Sequence, residues 1–214
     1  MTIYLLSGLG ADNRLFNGLT FSESHRVVHL PMPVPTHRQT MASYAKQIST
    51  GIDPTEEFIL IGVSLGGMVA REISAFLKPK KVILISSAQH RSELPPLYRF
   101  MGRLKVNRLV PGWLTKYSAF VLQPLFENDS WKDRRFFRSM LLTKPSSFYK
   151  RTVDMIVNWD RNEGSPDIIH IHGTGDRTLP FKLVKPAYAI ERGSHMMVYT
   201  RAKEVNSIIR DILK

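Results

Sequence analysis

The sequence predicts an α/β fold built on a mostly parallel sheet, and three features carry that prediction. Short apolar runs recur along the chain, several of them lack polar alternation, and segments of helical period lie between them. The runs cover residues 3–6, 27–30, 58–61, 82–85, 168–171 and 187–190. A run without alternation is what a strand needs when both faces of its sheet are covered.

Three segments between the runs read as helices. Residues 40–49 suit one, residues 65–77 a second that stops before Pro79, and residues 201–213 a third with Val205, Ile208, Ile209 and Ile212 on one face. The stretch from 89 to 164 breaks the rhythm and is too long for a simple connection, so it must have structure of its own. Segments 94–110, 113–126, 131–142 and 147–159 combine apolar, aromatic and basic residues at helical spacing, which predicts a helical cap. Its aromatics Trp113, Phe120, Phe126 and Trp159 are expected to form a satellite core. The chain therefore reads as one domain over residues 1–214, with a core of 1–89 and 165–214 and a cap insertion of 90–164.

Composition narrows the chemistry. With no cysteine the chain has no disulfide, no thiolate nucleophile and no cysteine-ligated zinc, and a cytoplasmic location is expected. The first six residues lack a basic leader and run straight into Gly8 and Gly10, so no signal peptide is expected, and no apolar run has transmembrane length. The net charge of +12 raises nucleic-acid binding as a reading. Many of the cations, among them Arg99, Arg103, Lys105, Arg108 and Arg134, fall in the cap without matching a nucleic-acid-reading motif. A solvated basic face is the expectation, no nucleic-acid partner is expected, and an anionic substrate or acidic membrane surface is the intermediate case.

The residues that carry chemistry sit where the predicted strands end. Gly62-Val63-Ser64-Leu65-Gly66 follows the run 58–61 and opens the helix at Leu65, which is G-x-S-x-G in strand–turn–helix context. Side chains at Gly62 and Gly66 would collide with backbone in so sharp a turn, and Ser64 is left at a helix N-terminus that favours developing negative charge. A hydroxyl is a weak nucleophile and needs an oriented base. After the run 168–171 comes His172-Gly173-Thr174-Gly175-Asp176, and after the run 187–190 comes Gly193-Ser194-His195. Ser64, Asp176 and His195 thus each follow a strand, at the carboxyl edge where open α/β sheets bind ligands. Taken singly, Asp176 could cap a turn and His195 could be a surface histidine; the order and context of all three favour nucleophile, orienting acid and base.

Two backbone N–H groups complete the expected site. One belongs to Leu65, after the nucleophile, and the other to Leu9 in the glycine-rich loop Ser7-Gly8-Leu9-Gly10 that ends the first strand. That loop lacks the third glycine of a dinucleotide fingerprint and the GK[ST] of a phosphate loop. His170 and His172 share a strand face without an accompanying carboxylate or cysteine cluster, so they are expected to be packed and hydrogen-bonded, and no metal is predicted.

In Ser7-Gly8-Leu9-Gly10, Gly62-Val63-Ser64-Leu65-Gly66-Gly67, His172-Gly173-Thr174-Gly175-Asp176 and Gly193-Ser194-His195, the chain resembles the α/β-hydrolase superfamily, in particular its small bacterial serine esterase and thioesterase-like members. The resemblance covers the core and not the cap. It implies hydrolysis through an acyl-enzyme without a cofactor, on Ser64, Asp176 and His195 with the N–H groups of Leu9 and Leu65. Two departures stand out: the usual two strands before the oxyanion loop are missing, which predicts about six strands, and Ser7 replaces the usual histidine. Serine at the turn disfavours relatives with an aspartate nucleophile. A carboxylesterase acting on small to medium acyl esters is the first expectation. An acyl thioesterase or C–C bond hydrolase comes next, and a non-catalytic binding protein of the same fold last.

Overall fold

The computed structural model describes residues 1–118, 131–165 and 167–214. Six strands form one sheet: β1 (Thr2–Leu6), β2 (Arg26–His29), β3 (Phe58–Val63), β4 (Lys81–Ile85), β5 (Ile168–Gly173) and β6 (Tyr188–Ile190). Their order is β2-β1-β3-β4-β5-β6, and every pair is parallel, with Leu5 opposite Ile61 and Ile61 opposite Ile83 in the centre. Successive residues of the central strands enter two separate cores. Tyr4, Leu6, Leu60 and Leu84 face one cluster, while Ile3, Leu5, Ile59, Ile61, Ile83 and Ile85 face the other. This two-sided burial is why those runs carry no polar alternation.

Helices cover both faces. On one side lie α1 (Met41–Ser49) and α2 (Leu65–Ile73). Thr40 caps α1 by accepting the N–H of Ser43 at 3.1 Å. Helix α2 ends earlier than its apolar pattern predicts. Beyond Ile73 the chain tightens, with the N–H groups of Ala75 and Phe76 bonding the carbonyls of Glu72 and Ile73. The far side receives the short α6 (Met197–Thr200) and α7 (Ala202–Ile212), the latter burying Val205, Ile209 and Ile212.

Between β4 and β5 lie α3 (Pro96–Leu104), the helical residues 112–118, α4 (Trp131–Leu141) and α5 (Ser146–Val157), in the segment where a cap is expected. The single helix expected over 94–110 is not formed. Lys105 takes a left-handed conformation (φ 55°) that ends α3, and a 3₁₀ turn follows at Val106–Arg108. Asn107 in that turn donates from Nδ2 to Asp154 Oδ1 at 2.6 Å, a tertiary bond to α5 that competes with helix continuation. The expected satellite core is also corrected. Trp159 joins the main core and Trp113 is 62% exposed, whereas Leu141, Phe148 and Tyr149 form a small cluster of their own. Phe120, Phe126 and the rest of the helix expected to 126 lie outside the described residues. No helix among the described residues is long and apolar enough to cross a membrane.

A buried ion pair ties the chain just after α5 to α2. Glu72, inside α2, accepts from Trp159 Nε1 at 2.8 Å and from Arg161 Nε and Nη2 at 2.6 and 3.0 Å. Burial pushes the Glu72 carboxyl up, and the hydrogen bonds of Arg161 and Trp159 outweigh it, so the net displacement is below the usual carboxylate value. The pair therefore stabilises the fold above the unfolded-state pKa of glutamate and loses that contribution as pH falls through the lower folded value. Glu72→Ala leaves the Trp159 indole N–H and a half-buried guanidinium without their acceptor, and is expected to cost about 3 kcal/mol. Urea unfolding of variant and parent measures it; a loss under about 1 kcal/mol would return the pair to the level of a surface contact.

Candidate active site

The turn between β3 and α2 holds Ser64 at φ 52°, ψ −118°. Serine tolerates this left-handed region only when the surroundings enforce it. The two strand-edge glycines show how. A Cβ on Gly62 would lie 2.3 Å from the Gly66 carbonyl oxygen, and one on Gly66 would lie 2.1 Å from that of Leu6. The chain therefore folds back on itself and against β1 with no room for a side chain. From the next strand edge, the Ser87 hydroxyl donates to the Ser64 carbonyl at 2.7 Å.

Asp176 and His195 reach the same edge from β5 and β6. The imidazole bridges them: its Nδ1 is 2.7 Å from Asp176 Oδ2 and its Nε2 is 2.9 Å from Ser64 Oγ. An ionised carboxylate only accepts, so Nδ1 carries the proton and Nε2 receives the serine O–H. Asp176 is itself fixed, because its Oδ1 accepts the N–H groups of Thr178 and Leu179 at 2.9 and 2.8 Å. Burial alone raises the Asp176 carboxyl, but the charge of His195 and the hydrogen bonds of His172 and His195 prevail and hold it well below the ordinary carboxylate range.

The loop 7–10 closes over the serine. Gly8 approaches so closely that a Cβ there would be 3.3 Å from Ser64 Cβ. Leu9, next in the chain, thus starts beside Ser64, and Leu65 is the first residue of α2, where N–H groups have no intrahelical acceptor. Ser7, in place of the usual histidine, supports the loop locally by donating its hydroxyl to the Ala11 carbonyl at 3.2 Å.

Residues that the sequence reading did not place in the site stand behind it. His172 Nε2 is 2.8 Å from the Leu179 carbonyl and 3.3 Å from Asp176 Oδ2. The carbonyl can only accept, so in the neutral ring Nε2 is protonated and Nδ1 accepts from His170 Nε2 at 3.1 Å. Burial, with the neighbouring His172, pushes His170 down to about 3, so it is uncharged. Both histidines are fully buried, packed and hydrogen-bonded, as their strand position suggests. Among the described residues no group of three or more His, Cys, Asp or Glu side chains could hold a metal. Ser87 and His172 could not be assigned to Ser64 and Asp176 from sequence, since nothing local marks either contact. A cavity of about 580 Å³ is lined by Ser7, Asp12, His29, Met32 and Lys144, and neither Ser64 nor His195 lines it.

Such a hydrogen-bonded serine, histidine and aspartate at the carboxyl edge of a parallel sheet can perform nucleophilic acyl chemistry. The model of the alpha/beta hydrolase family matches residues 3–208, and the chain belongs to that family. It is a hydrolase by family, which implies a small-molecule substrate. No curated protein matches the sequence. Among solved structures, the chain is similar to a thermophilic esterase from Thermogutta terrifontis, at 17% identity over 100% of this chain and 89% of that one, with a TM-score of 0.74. It is also similar to the enol-lactonase from Burkholderia xenovorans LB400, at 17% identity over 99% and 90%, TM-score 0.76. A third likeness is to MenH from S. aureus, at 13% identity over 100% and 93%, TM-score 0.71. At these identities the likeness is one of fold.

Proposed function

We propose that the chain is a serine hydrolase that cleaves acyl esters through an acyl-enzyme on Ser64, with a cytoplasmic location that fits its lack of cysteine. The observation that carries this reading is the continuous line from Asp176 Oδ2 through His195 to Ser64 Oγ, at 2.7 and 2.9 Å. Ser64 Oγ attacks the acyl carbonyl while His195 Nε2 takes its proton, and the oxyanion develops towards the N–H groups of Leu9 and Leu65. Collapse breaks the bond to the leaving group, which receives the proton from Nε2. Water then attacks the acyl-enzyme with His195 again as base, and Ser64 leaves with the proton restored. The solved esterase and enol-lactonase of this fold support an ester or lactone as the bond cleaved.

A series of nitrophenyl esters of increasing acyl length, run beside acyl-CoA thioesters at low and high salt, tests the bond and the acyl group. The expected result is the highest kcat/KM on small to medium esters, with little effect of salt. Preference for acyl-CoA that disappears in high salt would make the enzyme a thioesterase whose basic cap binds the anionic leaving group. Failure on every acyl substrate, with Ser64 still reactive to a fluorophosphonate, would favour C–C bond hydrolysis.

The pH profile tests the base. Because Asp176 is held below the ordinary carboxylate range, it stays ionised wherever imidazole titrates, and the rising limb of kcat/KM belongs to His195 alone. Activity is expected to climb once, with a slope of one proton, as the imidazole loses its charge. Stopped assays across the acid range check it, and a rate flat from acid to alkaline pH would remove His195 from the mechanism.

A further inference from the structure

Among the described residues of the cap, Leu97, Phe100, Leu104, Leu109, Trp113 and Tyr117 are six large apolar side chains that stand in solvent. On α3, Leu97, Phe100 and Leu104 share one face. Leu109 follows in the connection, and Trp113 and Tyr117, four residues apart, share a face of the helical stretch 112–118. All six are between 55% and 83% exposed. Isolated exposed apolar residues are ordinary, but a group of this size on one element pair marks a contact surface.

The opposite sides of both helices are already occupied. A Cβ on Gly102 would lie 1.9 Å from the Val157 carbonyl oxygen, so α3 is seated on the end of α5. Gly112 approaches the Ser146 carbonyl at the start of α5, where its Cβ would be at 3.1 Å. The two contacts are separated by the length of α5, about 16 Å at 1.5 Å per residue. Both stretches therefore rest on α5 and carry exposed apolar side chains on their other faces.

Charge says what this face meets. Residues 94–118 contain Arg99, Arg103, Lys105, Arg108 and Lys116 and no acidic residue. Arg108 pairs with Asp154 at 3.3 Å, while Arg103 and Lys105 are exposed on either side of Leu104. We propose that the exposed apolar and basic surface of residues 97–117 docks on an anionic lipid surface. Leu109, Trp113 and Tyr117 would enter the headgroup boundary, where aromatic side chains with a polar edge are favoured, and the cations would meet the lipid phosphates. A second copy of the chain fits this face poorly. Pairing this segment with its own copy would bring its cations together with no carboxylate in the segment to answer them. The proposal stands apart from the assignment of Ser64 and holds for any acyl substrate.

Co-sedimentation of the full chain with vesicles of phosphatidylcholine, and of phosphatidylcholine mixed with phosphatidylglycerol, tests it. The expected result is binding to the anionic vesicles only, weakened by salt. Leu109→Ser combined with Trp113→Ser should reduce that binding on the order of a hundredfold. Arg103→Gln and Lys105→Gln should each reduce it about fivefold. Both sets alter exposed side chains, so an unchanged thermal midpoint and unchanged turnover of a soluble nitrophenyl ester verify folding. Absence of binding to anionic vesicles, or equal binding by the double serine variant, overturns the proposal. So does a parent dimer in light scattering that becomes monomeric in the double serine variant, which would make the face a contact between copies.

Discussion

Ser64→Ala is expected to lower turnover on the order of 10⁶-fold, the scale at which loss of a nucleophile leaves only binding and the oxyanion donors. The substitution removes one hydroxyl and keeps the Cβ, so the backbone bonds that hold the turn, including Ser87 on the Ser64 carbonyl, persist. The thermal midpoint should then move little. Fluorophosphonate labelling of parent and variant, followed by intact-mass measurement, reads the nucleophile directly. Labelling of the parent alone is expected. Equal labelling of both would sink the assignment, and a parent that resists every such probe would make the chain a binding protein on a hydrolase fold.

Asp176→Asn should be the second largest effect, about 10⁴-fold in kcat with KM changed little. The geometry dictates which way the amide turns. Oδ1 accepts two backbone N–H groups, from Thr178 and Leu179, so the asparagine oxygen must stay there and its NH₂ replaces Oδ2. That NH₂ then faces His195 Nδ1, which can meet it only as an acceptor, and the imidazole proton moves to Nε2. Nε2–H points at Ser64 Oγ and can no longer take its proton. The same NH₂ meets the N–H of His172, at 3.3 Å from the former Oδ2, which opposes the substitution further. Steady-state kinetics on a nitrophenyl ester decide the matter; a kcat within tenfold of the parent would mean that another group orients His195.

The buried histidines show how much of the site is a property of assembly. His170 and His172 are marked in the sequence only as alternate residues of a strand, and Asp176 follows four residues after His172. Their contact with the acid depends on how the loop after β5 folds back, placing the Leu179 carbonyl and Asp176 Oδ2 around the same ring nitrogen. Thr174, Gly175 and Asp176, which open that loop, do not encode this by composition, because all three residue types fit many turns.

By itself the sequence determined the α/β class and the six strands, and it singled out Ser64, Asp176 and His195, which lie within hydrogen-bond distance of one another in the structure. These depend on near neighbours. An apolar run between turn residues specifies a buried strand, and the glycines at 62 and 66 are demanded by a turn of five residues. Tertiary structure alone decided where α3 stops, which cap aromatics are buried, and what holds Ser64 and Asp176 in place. Asn107 reaches Asp154 across 47 residues, Ser87 reaches Ser64 across 23, and Trp159 is buried by its bond to Glu72, 87 residues away, while Trp113 stands in solvent. Helical period gives the two tryptophans the same local appearance, and only the packing of distant segments separates them.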